Sequence, residues 1–401
     1  MRIASIPQAL PRAYMAEPTW LDRWDYWLLV AALFLAGFGL VMVASASMSI
    51  AAKEAGDPLF YFWRQAAYLG FALLLGSIAV VVGTPGWRRA GPLLLIFGIV
   101  LLALALVPGV GREVNGSSRW IGLGFANLQP SEPMKLFLTI YLAGYLVRRN
   151  DEVRSRAGGF LKPVVLLSVI AALLLLEPDY GATVVIFAAA LGMMFLAGVP
   201  LTIFLAWALV TSVFFAGLLL SAPYRLERLL TFMNPWADPY GTGFQLTQAL
   251  IAIGRGDWFG VGLGAGVQKL FYLPEAHTDF LFAVLAEELG FAGMVIVIAL
   301  FAFVVFRAMR IGSRAERAGD EFSAYLCYGI GLLFALQASI NIGVNMGVLP
   351  TKGLTLPLIS YGRSSLIITM ICISLLLRIH HELAVDAKPV NRKRRKRSKK
   401  S

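Results

Sequence analysis

Ten long apolar runs separated by mostly short polar connections constrain this 401-residue chain more than any other feature. A run of about 17–25 apolar residues crosses a bilayer as a helix, the only single-segment structure that satisfies its own backbone N–H and C=O groups in hydrocarbon. The runs are Tyr26–Ser45, Ala66–Val82, Gly91–Val107, Ser131–Val147, Pro163–Leu176, Tyr180–Gly198, Leu201–Ala222, Phe280–Phe306, Phe322–Gly347 and Leu354–Leu377. They predict an all-α polytopic membrane protein of about ten transmembrane helices with one large outer loop, at about 223–279. Composition agrees: 14% of residues are charged and mean hydropathy is +0.73, whereas a soluble domain carries roughly 25% charged residues.

Basic residues assign the two faces. Most of the 35 Lys and Arg residues fall in the N-terminal segment, at Arg88 and Arg89, between Arg148 and Lys162, between Arg307 and Arg317, and after Arg378. Segments rich in Lys and Arg stay in the cytoplasm, so both termini are expected there. The chain divides into a cytoplasmic segment 1–25, a membrane domain 26–383 and a basic tail 384–401. Much of the net charge of +12 sits in the tail, with its run Arg392 to Lys400. Beside a membrane span, such a run is expected to meet membrane lipids or an acidic protein, at about 1 kcal/mol per basic residue, rather than nucleic acid. Cys327 and Cys372 lie inside expected spans as small apolar side chains. The three histidines show no metal-ligand spacing.

The outer face carries the candidate chemistry. Leu273-Pro274-Glu275-Ala276-His277-Thr278-Asp279-Phe280 gathers two carboxylates and a histidine just before an apolar run. A carboxylate held where water meets hydrocarbon has a raised pKa, which suits a general base near neutral pH. Asp279 is the leading catalytic candidate, and Glu275 and His277 are candidates to touch substrate. The outer segment also holds Gly260-Val261-Gly262-Leu263-Gly264-Ala265-Gly266, readable as turns or as an anion cradle.

Ionisable residues inside spans are costly and call for a partner or a wet cavity. Glu132 and Lys135 share one helical face as a candidate ion pair. Glu287 and Glu288 have no basic neighbour in sequence, and Lys135, Arg119, Lys352 and Arg363 are the cations considered for them. Lys352, Arg363 and Arg119 add positive charge toward the same face as Asp279. Together they suggest an anionic, pyrophosphate-bearing substrate presented from the lipid.

Several motifs, in order, carry a resemblance. They are Gly116-Ser117-Ser118-Arg119-Trp120, Gln129 to Lys135, Glu177-Pro178-Asp179-Tyr180-Gly181, Gly262 to Lys269, Pro274 to Asp279 with Glu287-Glu288-Leu289-Gly290, and Leu349 to Ser365. From about Asp25 to Leu383 the chain resembles the SEDS family (shape, elongation, division and sporulation), and Thr351-Lys352-Gly353-Leu354-Thr355 looks like its division branch. Arg363 departs from the family's usual second glycine of Tyr-Gly-Gly-Ser-Ser, and Pro133-Met134 from the commoner Phe-Ala.

The resemblance implies a peptidoglycan glycosyltransferase of the bacterial inner membrane at the division septum, polymerising lipid II with undecaprenyl pyrophosphate as leaving group. It implies Asp279 as the base, with Lys352, Arg119 and Lys269 neutralising pyrophosphate charge, a role compatible with a divalent cation such as Mg or Mn. Glu132, Lys135, Glu287 and Glu288 are expected to support the cavity. The implied partners are a class B penicillin-binding transpeptidase and divisome regulatory proteins. A lipid II flippase and a division scaffold are the rival readings. The outer carboxylate argues against the flippase, because a transporter has no evident need of it.

Overall fold

The protein is described by a computed structural model covering residues 23–114, 117–122, 127–155, 157–220, 231–351 and 353–386. Its helices are α1 (Tyr26–Ala55), α2 (Phe60–Val81), α3 (Thr84–Ala105), α4 (Ser131–Arg148), α5 (Asn150–Ser155), α6 (Ala157–Leu176), α7 (Tyr180–Leu196), α8 (Leu201–Leu220), α9 (Phe244–Gly256), α10 (Leu281–Arg317), α11 (Glu321–Asn345) and α12 (Arg363–Asp386). A helix stands at each of the ten expected spans. Seven of them (α1, α2, α3, α6, α10, α11 and α12) are long and apolar enough to cross a membrane by length and composition. The other three positions are filled by α4, α7 and α8; α4 carries Glu132 and Lys135 in its first turns.

Local chemistry sets several boundaries. Asp25, Asp179 and Asp320 cap α1, α7 and α11 by accepting hydrogen bonds from the N–H groups of Leu28, Ala182 and Ser323. α1 stops at Gly56, which takes a left-handed conformation (φ 72°). α3 opens with Pro85 in its first turn, where the missing N–H costs nothing.

The interior lies around α4, α7, α10 and α11. α4 is buried almost all round, with Met134, Leu136, Ile140 and Leu142 in the core. α2 and α3 leave many large apolar side chains exposed, among them Leu74, Ile78, Leu93 and Ile96, as a lipid-facing surface requires.

Three departures from the sequence reading shape the functional end. Between α3 and α4 the chain forms a small antiparallel sheet, β1 (Gly111–Val114), β2 (Ser117–Gly122) and β3 (Asn127–Leu128), with Arg112 opposite Trp120 and Ile121 opposite Leu128. The run expected to be a helix from Leu354 is irregular as far as Gly362, and α12 starts only at Arg363. Pro357 removes a donor and Leu358 has φ 64°, so a helix cannot nucleate there. Leu354, Leu356, Leu358 and Ile359 are nevertheless buried. Irregular backbone at such depth needs partners within the protein, and they are described with the site below.

The third departure is a break in α10 at Gly290 (φ 65°, ψ −163°). The outer segment docks into it: Val261 and Gly262 donate to the carbonyls of Glu287 and Glu288 at 3.0 and 3.1 Å. Phe291 and Ala292 donate back to Asp257 and Trp258 at 2.8 and 3.1 Å. A Cβ on Gly290 would lie 2.4 Å from the Gly260 nitrogen, so this approach requires glycine.

The two ends of the bundle differ in chemistry. At one, Trp24 stacks on His381 with ring centroids 4.3 Å apart, Arg307 binds Asp25, and Thr84 bonds Glu382. Both ends of the described chain therefore meet on the same side. The opposite end holds Asp279.

Candidate active site

Asp279 sits in the turn just before α10 and is partly buried. Its backbone carbonyl accepts hydrogen bonds from two side-chain amides one helical turn apart on α11, Asn341 Nδ2 at 2.9 Å and Asn345 Nδ2 at 3.0 Å. Asn345 Oδ1 in turn accepts from the N–H of Ala283, in the first turn of α10. The position of Asp279 is thus fixed from α11 while its carboxyl is left for chemistry. Gly353 lies against that carboxyl: a Cβ there would fall 2.7 Å from Oδ2. Desolvation by the surrounding protein pushes the Asp279 carboxyl up to about 7; Glu275 and Asp179 add to the rise and Arg119 opposes it.

The other members of the motif hold its shape. Glu275 has φ 54°, its carbonyl accepts from the Thr278 and Phe280 N–H groups, and its carboxylate accepts from Thr278 Oγ1 at 2.7 Å. Glu275 remains exposed. His277 packs its ring against Tyr61 and Tyr361, with centroids 4.7 and 5.6 Å away, and its carbonyl accepts from the Tyr361 N–H. Burial lowers the His277 pKa, so the ring is neutral near pH 7.

Arg119 on β2 reaches the turn between α6 and α7, donating to the carbonyls of Glu177 (3.2 Å) and Pro178 (2.5 Å). A guanidinium has five donors, so this docking leaves others for a ligand. The same turn carries Asp179, whose carboxylate accepts from Ser131 Oγ at 2.9 Å and Gln129 Nε2 at 3.3 Å. Burial, reinforced by Asp179, pushes the neighbouring Glu177 up to about 8, with Arg119 opposing.

Glu132 and Lys135 form the expected ion pair, 2.8 Å long and buried on both sides. Lys135 also donates to Gln337 Oε1 at 2.8 Å, and Gln337 Nε2 donates to the carbonyl of Thr355 at 3.0 Å. Asn341 donates to the carbonyl of Leu354, and the Leu356 N–H donates to Ser360 Oγ. These are the internal partners that the irregular 354–362 segment requires. Lys135 thus orients Gln337, the first of three amides along α11: Gln337 and Asn341 hold the 354–355 segment, and Asn341 and Asn345 hold Asp279.

Glu287 and Glu288 find partners other than those considered from sequence. Glu287 accepts from the Val267 and Gln268 N–H groups and lies 3.6 Å from Arg255. Glu288 pairs with Lys269 at 2.5 Å and accepts from Ser45 Oγ. Both carboxylates serve to tie the outer segment to α10 and α1, away from Lys135, because the glycine run folds back over them. The glycine run thus acts as turns in this arrangement. Lys269 is 5% exposed and spends its ammonium on Glu288, Ser45 and the Gly264 carbonyl. Three donors meet three acceptors, so none is left over for pyrophosphate. Arg363 lies over the Tyr68 ring, 5.2 Å from its centroid. Lys352 lies outside the described residues. Among the described residues no group of three His, Cys, Asp or Glu side chains converges to hold a metal ion.

Sequence reasoning overlooked these three amides. Its signal was present, since Gln337, Asn341 and Asn345 recur every four residues in an otherwise apolar span and so line one helical face.

The chain is similar to known proteins over most of its length. The model of the FtsW/RodA/SpoVE cell cycle protein family matches residues 26–385. A probable peptidoglycan glycosyltransferase FtsW of Thioalkalivibrio sulfidiphilus is 54% identical over 369 residues, 92% of each chain. One of the same name from Nitrosococcus halophilus is 55% identical over 358 residues, covering 89% of this chain and 92% of the relative. Among solved structures, a chain from a peptidoglycan synthase complex that coordinates polymerization and crosslinking superposes with a TM-score of 0.74 at 29% identity, covering 90% of this chain and 98% of that one.

Proposed function

The chain belongs to the FtsW/RodA/SpoVE family of cell cycle proteins, and from that premise we infer that it is a peptidoglycan glycosyltransferase that polymerises lipid II with Asp279 as general base. The observation that carries the base assignment is the state of Asp279. Its backbone is clamped by Asn341 and Asn345, and its carboxyl is held at a pKa of about 7. A base with a pKa near the working pH combines a sufficient deprotonated fraction with the greatest affinity for the proton.

In the reaction, an acceptor sugar hydroxyl attacks the anomeric carbon of the donor. Asp279 takes the hydroxyl proton as the new C–O bond forms. The bond to undecaprenyl pyrophosphate breaks, and the pyrophosphate leaves with the electron pair. Arg119 supplies positive charge near Asp279, where partial exclusion of water makes such stabilisation worth most. Lys352, next to Gly353, is the second candidate for the leaving group on sequence grounds. Glu275 and His277 shape the mouth of the site through the Thr278 bond and the Tyr61–Tyr361 ring cluster. Glu132 and Lys135 act through Gln337 as positioning residues.

The basic end of the bundle faces the cytoplasm and the Asp279 end the outer side, where glycan is made. Kinship with a chain of a peptidoglycan synthase complex supports work beside a class B penicillin-binding transpeptidase under divisome regulators at the septum. The test is lipid II polymerisation by the purified protein with its cognate transpeptidase, with glycan strands resolved by length. Native protein is expected to make strands and equally folded Asp279→Ala none. Undiminished strands from Asp279→Ala would overturn the base assignment, and none from the partner-bound native protein would overturn the polymerase reading in favour of lipid II transport or a division scaffold.

A further inference from the structure

At the end of the bundle opposite Asp279, α3 and α4 enclose a cleft of about 400 Å³ lined by Pro85, Arg88, Arg89, Pro92 and Arg148. That volume lies within the range of small-molecule sites, roughly 300–1,000 Å³. Among the described residues none of the three guanidiniums forms an ion pair, although seven other pairs are made. The nearby carboxylate of Glu382 is already engaged by Arg378 and by the N–H and hydroxyl of Thr84.

Two of the arginines are placed by neighbours. Arg148 folds back along α4 over Gly144, where a Cβ would come 3.0 Å from Nη1, and lies 6.0 Å from the Tyr141 ring centroid. Arg88 lies 6.0 Å from the ring centroid of Phe322. Three unpaired guanidiniums around one cleft match a phosphate, which accepts their forked donors.

What lies beside the cleft identifies the source of that phosphate. From Arg89 toward mid-membrane, α3 presents Leu93, Ile96, Phe97 and Val100, all exposed and spaced to share one helical face. Phe97 also meets Phe137 of α4. A free anion has no use for such a stripe, whereas acyl chains below a headgroup do.

We propose that the α3–α4 cleft binds the phosphate headgroup of an anionic glycerophospholipid of the cytoplasmic leaflet, with its acyl chains along the Leu93–Val100 stripe. The site is distinct from the outer site and does not depend on the reaction assigned to it. The test uses the delipidated full-length protein and native mass spectrometry. It compares phosphatidylglycerol, phosphatidylcholine and inorganic phosphate as probes, with Arg317→Gln as a control for basic charge elsewhere on the same face.

Phosphatidylglycerol is expected to be retained over phosphatidylcholine and not displaced by millimolar inorganic phosphate. Its affinity should fall ~30-fold in Arg88→Gln/Arg148→Gln, roughly fivefold for each basic contact, and stay unchanged in Arg317→Gln. The charge-keeping Arg88→Lys/Arg148→Lys variant should fall between native and the double Gln variant. Equal retention of the two lipids, or equal losses in the double Gln and control variants, would overturn the site. Displacement by inorganic phosphate would overturn the lipid assignment.

Discussion

Replacing Lys269 by methionine separates two roles that its position in sequence leaves open. The ammonium is enclosed by Glu288 at 2.5 Å and by Ser45 Oγ and the Gly264 carbonyl at 2.8 Å each, while the Glu288 side chain is fully buried. Methionine fills similar space but strands the Glu288 carboxylate. Leaving one member of a buried ion pair without its partner costs about 3–5 kcal/mol. At about 2 °C per kcal/mol, the lower end of the range for larger chains, the melting midpoint should fall by roughly 6–10 °C. Lys269→Met/Glu288→Gln should recover part of the loss, because the stranded charge is gone and only neutral hydrogen bonds are left imperfect. The assay is thermal unfolding of the detergent-solubilised protein, followed by intrinsic fluorescence, beside lipid II titrations of polymerisation. An unchanged midpoint in Lys269→Met with a raised KM for lipid II would refute the structural role and return Lys269 to the substrate.

Other expectations follow from the same geometry. Asp279 is a base only when deprotonated, so polymerisation should fall about tenfold per pH unit below about 7. Its raised pKa means that the fold favours the protonated carboxyl: the stability it contributes is complete below the unfolded value of about 4 and is lost as pH rises through about 7. Asp279→Asn should therefore be inactive yet melt above native protein at pH 8; a lower midpoint would contradict the desolvation argument. Asn345→Ala removes one of two bonds to the Asp279 carbonyl and should lower kcat about 10–100-fold, equivalent to ~1–3 kcal/mol, with KM little changed. Gly290→Ala puts a methyl against the Gly260 nitrogen at a positive φ. A cost of at least ~1–2 kcal/mol from conformation alone should appear as faster proteolysis of the outer segment between α9 and α10, and resistance equal to native would show that the docking is loose.

What could be read directly from the sequence was whatever lipid enforces locally. A span must be apolar over its own length and close its own hydrogen bonds, so all ten positions were legible in a single stretch of residues each. Asp279 was legible for a similar reason, since a carboxylate and a histidine beside an apolar run declare an interface wherever the chain takes them. The exception within a span proves instructive. Leu354 to Ile359 is as apolar as a membrane helix, but Pro357 and the left-handed Leu358 forbid one, and it is held by amides contributed by α11.

Partnership was decided only by the tertiary structure. Nothing near Glu288 in sequence points to Ser45 or Lys269, and nothing near Lys135 points to Gln337. A buried charge must find a counter-charge, and burial makes that demand without naming the residue that meets it. Which cation answers depends on how the outer segment folds back into the break at Gly290. That is a matter of backbone approach, and it commits the Lys269 ammonium to Glu288, Ser45 and the Gly264 carbonyl while leaving Arg119 donors to spare.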